Sequence, residues 1–152
     1  MKQFNFNLEP VLKHRKRLHD LAQEQFFHAK QHLDEGLREL ADIEDKVQVY
    51  RKDFKTAQEH GDLDSETLKL HLRYLTHLSV TKKMKTQDIA NRQIELDKRK
   101  DVLIKIMKDK KVIEKLKDRK LKEYTKDFMA QDQKNLDESG VNRFVRQHKN
   151  EE

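Results

Sequence analysis

The chain has 152 residues, of which 41% are charged and 34% hydrophobic, and it contains 3 Gly, 1 Pro and no Cys. This composition excludes a large globular core, and the abundance of helix formers favours long helices over disorder. The lack of Cys excludes disulfides and thiolate metal sites. No run is apolar enough for a signal peptide or a membrane span, so we expect a cytoplasmic protein.

The first predicted element is a helix over about residues 10–59. It is preceded by Phe4, Phe6 and Leu8 in alternation with polar residues, and Pro10 suits a first helical turn because no amide hydrogen is needed there. Hydrophobic and small residues then recur three and four apart, which predicts a coiled-coil seam. The seam consists of Phe26, Ala29, Leu33, Gly36, Leu40, Ile43, Val47, Tyr50, Phe54 and Ala57.

A turn is predicted over residues 60–64. Gly61 suits the left-handed conformation that ends a helix, and Asp62, Asp64 and Ser65 can each cap the helix that follows. Because the turn is short, the second helix should return antiparallel to the first.

The second helix is predicted over about residues 65–136, followed by a flexible tail over 137–152 that contains Gly140. Its predicted seam is interrupted by polar residues, so we expect a slender hairpin of moderate stability. That seam consists of Leu72, Leu75, Ser79, Lys82, Thr86, Ile89, Gln93, Leu96, Lys100, Leu103, Met107 and Lys110. The predicted fold class is all-α: a single domain over 1–152, a long antiparallel two-helix coiled-coil hairpin with helix two overhanging.

The overhang begins where helix two passes the start of helix one. Antiparallel pairing about the turn places opposite one another residues whose numbers sum to about 124, so Pro10 lies near residue 114. Beyond that point Leu121, Tyr124 and Phe128 form an apolar stripe that the segment containing Phe4 can cover in part. Residues 98–126 contain 13 Lys or Arg against 5 Asp or Glu, a net charge of +8 that favours an acidic partner.

No residues indicate catalysis or a cofactor. His28, His32 and Glu35 have the spacing of metal ligands on a helix, but Ala29 stands where the metalloprotease pattern needs Glu, and a solvated face explains the group more simply. A two-helix hairpin has no concave site for an enzyme, and the three Gly residues are too far apart for a phosphate-binding loop. We predict a non-enzymatic binding protein without metal or cofactor.

Two basic stretches, residues 13–17 and 98–126, leave non-specific nucleic-acid binding as an alternative function. Acidic residues interleave with the second stretch and aromatic residues are scarce there, so an acidic protein is the preferred partner and nucleic acid is not expected. Direct membrane insertion by Phe4, Phe6 and Leu8 is not expected either, because a helix start explains these residues.

The two ends carry a family resemblance. The sequences FNFNLEPVL at residues 4–12 and QKNLDE at 133–138, with a coiled-coil hairpin between them, resemble the FliJ family of flagellar export proteins. The resemblance implies a cytoplasmic stalk and adaptor of the type III export apparatus, peripherally associated with its membrane-embedded part and needed for flagellum biogenesis and motility. It implies three partners: the export ATPase hexamer, the cytosolic domain of the export gate, and export chaperones. The equivalent stalk of a virulence-type secretion system is an alternative.

The resemblance also suggests which residues bind. The end carrying both termini would enter the ATPase hexamer and promote its assembly and activity. Its candidate residues are Phe4, Phe6, Leu8, Lys117, Lys120, Leu121, Tyr124 and Phe128. Tyr74 and Leu78 match the family's gate-binding positions, and Thr81 and Lys85 continue that face while departing from the family's usual residues. Packing within the hairpin is the alternative role for Tyr74 and Leu78.

Overall fold

A computed structural model describes residues 3–61 and 63–149, apart from the side chains of 148 and 149. Two α-helices account for nearly all of it: α1 over Glu9–Glu59, with 51 residues, and α2 over Ser65–Lys149, with 85. No strand occurs in the described part of the chain. Side chains of α1 contact side chains of α2 in antiparallel order, so the predicted helical hairpin is confirmed.

Helix α1 begins at Glu9, directly after a turn over Asn7 and Leu8. The backbone amide of Glu9 donates to the Phe6 carbonyl at 3.0 Å, and that of Leu12 donates to the Leu8 carbonyl at 2.9 Å. The Glu9 carboxylate stands in the first turn, where the exposed amides of a helix start favour negative charge.

The connection between the helices uses the predicted turn residues. Gly61 has φ of 70°, the left-handed conformation in which a side chain is strained. Asp64 caps α2, because its Oδ1 accepts the backbone amide of Thr67 at 2.8 Å. Hydrogen bonds from the Thr67 side chain and backbone lower the pKa of Asp64. Ser65 is the first residue of α2, and Asp62 lies outside the described residues.

At its carboxyl end α2 differs from the prediction. The helix continues through Gly140 to Lys149, whereas the sequence suggested an end near 136 and a flexible tail. Gly140 has a helical conformation with no atom within 4 Å of the position a Cβ would take. A single Gly costs a helix about 1 kcal/mol relative to Ala, which lowers its stability without ending it, and no Pro follows to stop the helix.

Two compact units make up the chain: Met1–Leu18 with Ile106–Glu152, called the terminal unit below, and His19–Lys105, called the central unit. In the central unit, three contacts between α1 and α2 join residues whose numbers sum to 124: Gln25 with Arg99, His32 with Arg92, and Glu39 with Lys85. In the terminal unit, Arg15 and Asp109 give the same sum. The predicted pairing is therefore confirmed within each unit.

The α1 seam is also confirmed. Every position from Phe26 to Ala57 that the pattern assigns to the seam is buried or half-buried, and Leu33 and Gly36 are the most enclosed of them. Most residues between the seam positions are exposed. Alternation of large and small side chains explains the regularity, because small residues let the partner helix approach closely.

In the central unit the predicted α2 seam is confirmed at Leu75, Ile89, Leu96 and Leu103, which are half-buried, and wrong at its other positions. Leu72 is 52% exposed, and Ser79, Lys82, Thr86, Gln93 and Lys100 are exposed as well. At the wrong positions the residue that packs on α1 is the one before the predicted residue. The packing face consists of His71, Leu75, Leu78, Thr81, Lys85, Asp88, Ile89, Arg92, Leu96, Arg99 and Leu103. Apolar periodicity misses its charged positions, because long charged side chains cover the seam with their aliphatic stems and pair at their ends.

Candidate partner-binding surfaces

The N-terminal segment folds onto α2 within the terminal unit, as predicted. The ring centroids of Phe4 and Tyr124 are 5.5 Å apart, at an interplanar angle of 51°. Phe6 is buried, and Leu12 is the most enclosed side chain at 2% exposure. Burying such aromatic and leucine side chains stabilises a structure by about 1.5–3 kcal/mol each, which accounts for the ordered segment ahead of α1.

A cleft of about 590 Å³ lies between this segment and α2. Its walls are residues 3–8 on one side and Leu116, Lys120, Glu123, Tyr124 and Asp127 on the other. Leu121 is 43% exposed, and the ring of Phe128 stacks on that of Tyr124 with centroids 6.3 Å apart. We call Phe4, Leu121, Tyr124 and Phe128 the terminal apolar surface.

The two cations among the predicted ATPase-binding residues have partners inside the terminal unit. Lys117 Nζ lies 2.8 Å from Glu9 Oε2, and Lys120 Nζ lies 3.0 Å from Glu123 Oε2. The hydrogen bond from Lys117 lowers the pKa of Glu9. Both pairs are partly solvent-exposed, so each lysine is already compensated and its attraction for a further anion is reduced.

Five of the eight predicted ATPase-binding residues come together at the cleft and its edge: Phe4, Phe6, Leu8, Lys120 and Tyr124. Leu121 directly follows Lys120 on α2, and Phe128 lies one turn beyond Tyr124. Phe6 is buried and not exposed to solvent. The surface offered to a partner is therefore mainly aromatic and aliphatic. Their role in ATPase binding stays a prediction.

Three of the four predicted gate-binding residues lie on the α2 face that packs on α1 in the central unit, and Tyr74 lies at its edge. Leu78 is 6% exposed, and Lys85 forms ion pairs with Glu39 and Asp88. Thr81 is half-buried, and its hydroxyl donates to the His77 carbonyl at 2.9 Å. Leu78, Thr81 and Lys85 therefore take part in hairpin packing. Tyr74 is 39% exposed and can contact a partner.

Tyr74 belongs to an aromatic cluster that sequence reasoning missed. Its ring centroid is 4.4 Å from that of Tyr50, and the His71 ring lies 5.0 Å from Tyr50 and 5.1 Å from Phe54. The Nδ1 atom of His71 is buried without a hydrogen-bond partner. The antiparallel sum of about 124 pairs Tyr50 with Tyr74, so this contact could have been found from the α1 seam alone.

A polar network crosses the central unit near Gly36 and was also missed. Arg92 Nη1 donates to the His32 carbonyl at 2.5 Å, and Arg92 Nη2 lies 3.0 Å from Asp88 Oδ2. Lys85 bridges Asp88 and Glu39, and its hydrogen bond lowers the pKa of Glu39 while raising that of Lys85. A Cβ on Gly36 would stand 3.1 Å from Arg92 Nη1, so the glycine lets Arg92 pass close to the α1 backbone.

Among the described side chains, those of residues 3–61 and 63–147, no three metal-ligating groups gather at one point. His28 Nε2 lies 3.9 Å from Glu24 Oε1, a contact between two exposed side chains. Among the same residues no helix is long and apolar enough to cross a membrane.

The fold and surfaces together define a class: a coiled-coil hairpin that presents an apolar surface at the end where its first helix begins. A family model described as "Flagellar FliJ protein" matches residues 4–149, and the chain belongs to this family. Its members are non-enzymatic components of the flagellar export apparatus. No curated protein and no solved structure is significantly similar to the chain.

Proposed function

We propose that the protein is the stalk and adaptor of the flagellar export ATPase. In this proposal the terminal unit binds the ATPase hexamer and promotes its assembly and hydrolysis, and other surfaces contact the export gate and export chaperones. The protein would act in the cytoplasm, peripherally associated with the membrane-embedded apparatus. The observation that carries the proposal is the terminal apolar surface.

Two properties of the terminal unit support ATPase binding. Its exposed Leu121 adjoins a ring stack, and aromatic and aliphatic anchors in such clusters supply most of the energy of protein interfaces. The unit also contains 18 Lys and Arg against 11 Asp and Glu, a net charge of +7, whereas the central unit contains 16 against 17, a net charge of −1. A strongly basic end speeds association with an acidic partner surface.

The direct test adds the purified protein to the purified export ATPase. We expect hexamer formation and ATP hydrolysis to increase with the concentration of added protein, because a subunit that binds across several ATPase subunits favours their assembly. Mass photometry reports the hexamer and phosphate release reports hydrolysis. If neither quantity changes and calorimetry detects no binding, the stalk role is wrong.

Gate binding is proposed for the exposed side of Tyr74. Substituting Tyr74→Ala removes a ring that is partly free for a partner, so we expect weaker binding to the cytosolic gate domain by roughly tenfold, with helicity retained. Met84→Ala is the matched control, because Met84 is also on α2 in the central unit and more exposed. Equal affinities of wild type and Tyr74→Ala in a calorimetric titration would exclude this residue.

Leu78 needs separate treatment, because it is buried in the hairpin. Loss of affinity in a Leu78→Ala variant would report lost packing as much as lost contact with the gate. The gate assignment is therefore tested at Tyr74 alone.

A further inference from the structure

One exposed face of α2 in the terminal unit carries a continuous row of cations. The row recurs at spacings of three and four residues and consists of Lys108, Lys111, Lys115, Arg119, Lys122 and Lys126. All six side chains are exposed, and none forms an ion pair with another described residue. We call this row the basic ridge; at 1.5 Å per residue it is about 27 Å long.

The basic ridge continues into apolar residues. Met129 follows Lys126 at the same spacing and is exposed. A shallow groove of about 430 Å³ lies beside it, lined by Leu121, Lys122, Thr125, Lys126 and Met129. The face therefore combines cations with aliphatic anchors, which is the composition of a protein-binding surface more than of a phosphate-binding one.

A complementary row occupies one face of α1 in the central unit. It has the same three- and four-residue spacing and consists of Asp20, Glu24, Phe27, Gln31, Glu35, Arg38, Asp42 and Asp45. All eight are exposed, and the row has five carboxylates against one guanidinium. Phe27 lines a shallow groove together with Asp20 and Glu24, so this acidic ridge also presents an apolar anchor among charges.

We propose that the basic ridge is a self-association surface that binds the acidic ridge of a second copy of this chain. Charge complementarity and matched helical spacing let two straight helix faces lie side by side with cations facing carboxylates. Phe27 then meets aliphatic side chains such as Met129. Nucleic acid would leave the aliphatic anchors without a partner, and the ridge has no aromatic side chain for stacking bases.

The interface would be small, and its charges are exposed, so the association is weak and sensitive to salt. Its test needs no ATPase, because it measures the protein alone. Sedimentation velocity over a wide concentration range measures it directly. We expect a concentration-dependent dimer or larger species at low salt, and a monomer at high salt.

Charge exchange identifies the surfaces. Lys115→Glu with Lys122→Glu, and separately Glu24→Lys with Glu35→Lys, should each weaken self-association by roughly tenfold or more. An equimolar mixture of the two variants should associate again, because the unchanged acidic ridge of one variant can bind the unchanged basic ridge of the other. Lys134→Glu with Arg143→Glu makes the same change of charge outside the ridge and should self-associate like wild type. Circular dichroism verifies that all variants stay helical.

Two results would overturn the proposal. One is a monomer at every concentration and salt, including the case in which the ridge instead binds anionic phosphatidylglycerol vesicles or duplex DNA. The other is self-association that survives both pairs of reversals. Failure of ATPase activation, by contrast, would contradict the stalk role and leave the self-association result standing.

Discussion

Replacing Leu121 and Phe128 together with Ala is expected to weaken binding to the export ATPase by roughly ten- to hundredfold. Leu121 is well exposed, and Phe128 extends the ring stack begun by Phe4 and Tyr124. Removing both side chains takes away the exposed aliphatic anchor and the outer ring of the terminal apolar surface. The Phe4 contact with Tyr124 stays in place, so the fold of the unit should be retained.

Titration calorimetry and ATP hydrolysis, measured on the same preparations, check this expectation. Val80→Ala with Met84→Ala is the matched control, because both residues are exposed on α2 in the central unit and the double change removes a similar apolar area. The control should bind and activate like wild type. A Leu121 and Phe128 variant that activates the ATPase fully would show that the terminal apolar surface is not the binding site.

The largest effect on stability is expected at Gly36. A Cβ there would stand 3.3 Å from both Arg92 Cδ and Ile89 Cγ1, so Gly36→Leu has no room for its further carbons. The helices must separate locally and Arg92 must give up its hydrogen bond to the His32 carbonyl. Overpacking of this kind lowers the free energy of unfolding by about 2–3 kcal/mol. Gly36→Ala should change it by less than about 1 kcal/mol, because better helix propensity offsets the closer contact.

Urea unfolding followed by circular dichroism measures these differences. Gly140→Leu is the control, because the same substitution at this helical glycine meets no atom within 4 Å. It should leave stability unchanged or raise it. If Gly36→Leu and Gly140→Leu unfold at the same urea concentration, the close approach of the helices at Gly36 is not important for stability.

The hairpin, its turn and the α1 seam could be predicted because each rests on a local signal. Gly61 and Asp64 mark the turn between the helices, and every residue of the α1 seam is apolar or small. Apolar periodicity predicted only the positions Leu75, Ile89, Leu96 and Leu103 of the α2 packing face. Lys85 and Arg92 belong to the seam because they bind polar groups on α1. Recognising them therefore requires comparing two distant stretches of sequence.

The candidate surfaces also divide into features that a local pattern predicts and features that depend on the pairing of the helices. The stripe of Leu121, Tyr124 and Phe128 and its cover by Phe4 were predictable, because excess apolar residues on an overhang need a partner. For Leu78 the sequence left hairpin packing and gate binding both open, because Leu72 and Leu75 already filled the predicted seam, and its burial agrees with hairpin packing. One position of helical rotation separates the two interpretations.

A seam closed by ion pairs has a consequence for the heat capacity of unfolding. Within residues 3–61 and 63–147, the buried hydrophobic side chains are few: Phe6, Leu12, Ala22, Leu33 and Leu78. The heat capacity rises on unfolding because apolar surface becomes exposed to water. For this protein we expect a rise per residue below the usual value of roughly 12–15 cal/mol/K. The curve of stability against temperature is then unusually flat, and cooling weakens such a hairpin less than it weakens a globular domain with a dry core.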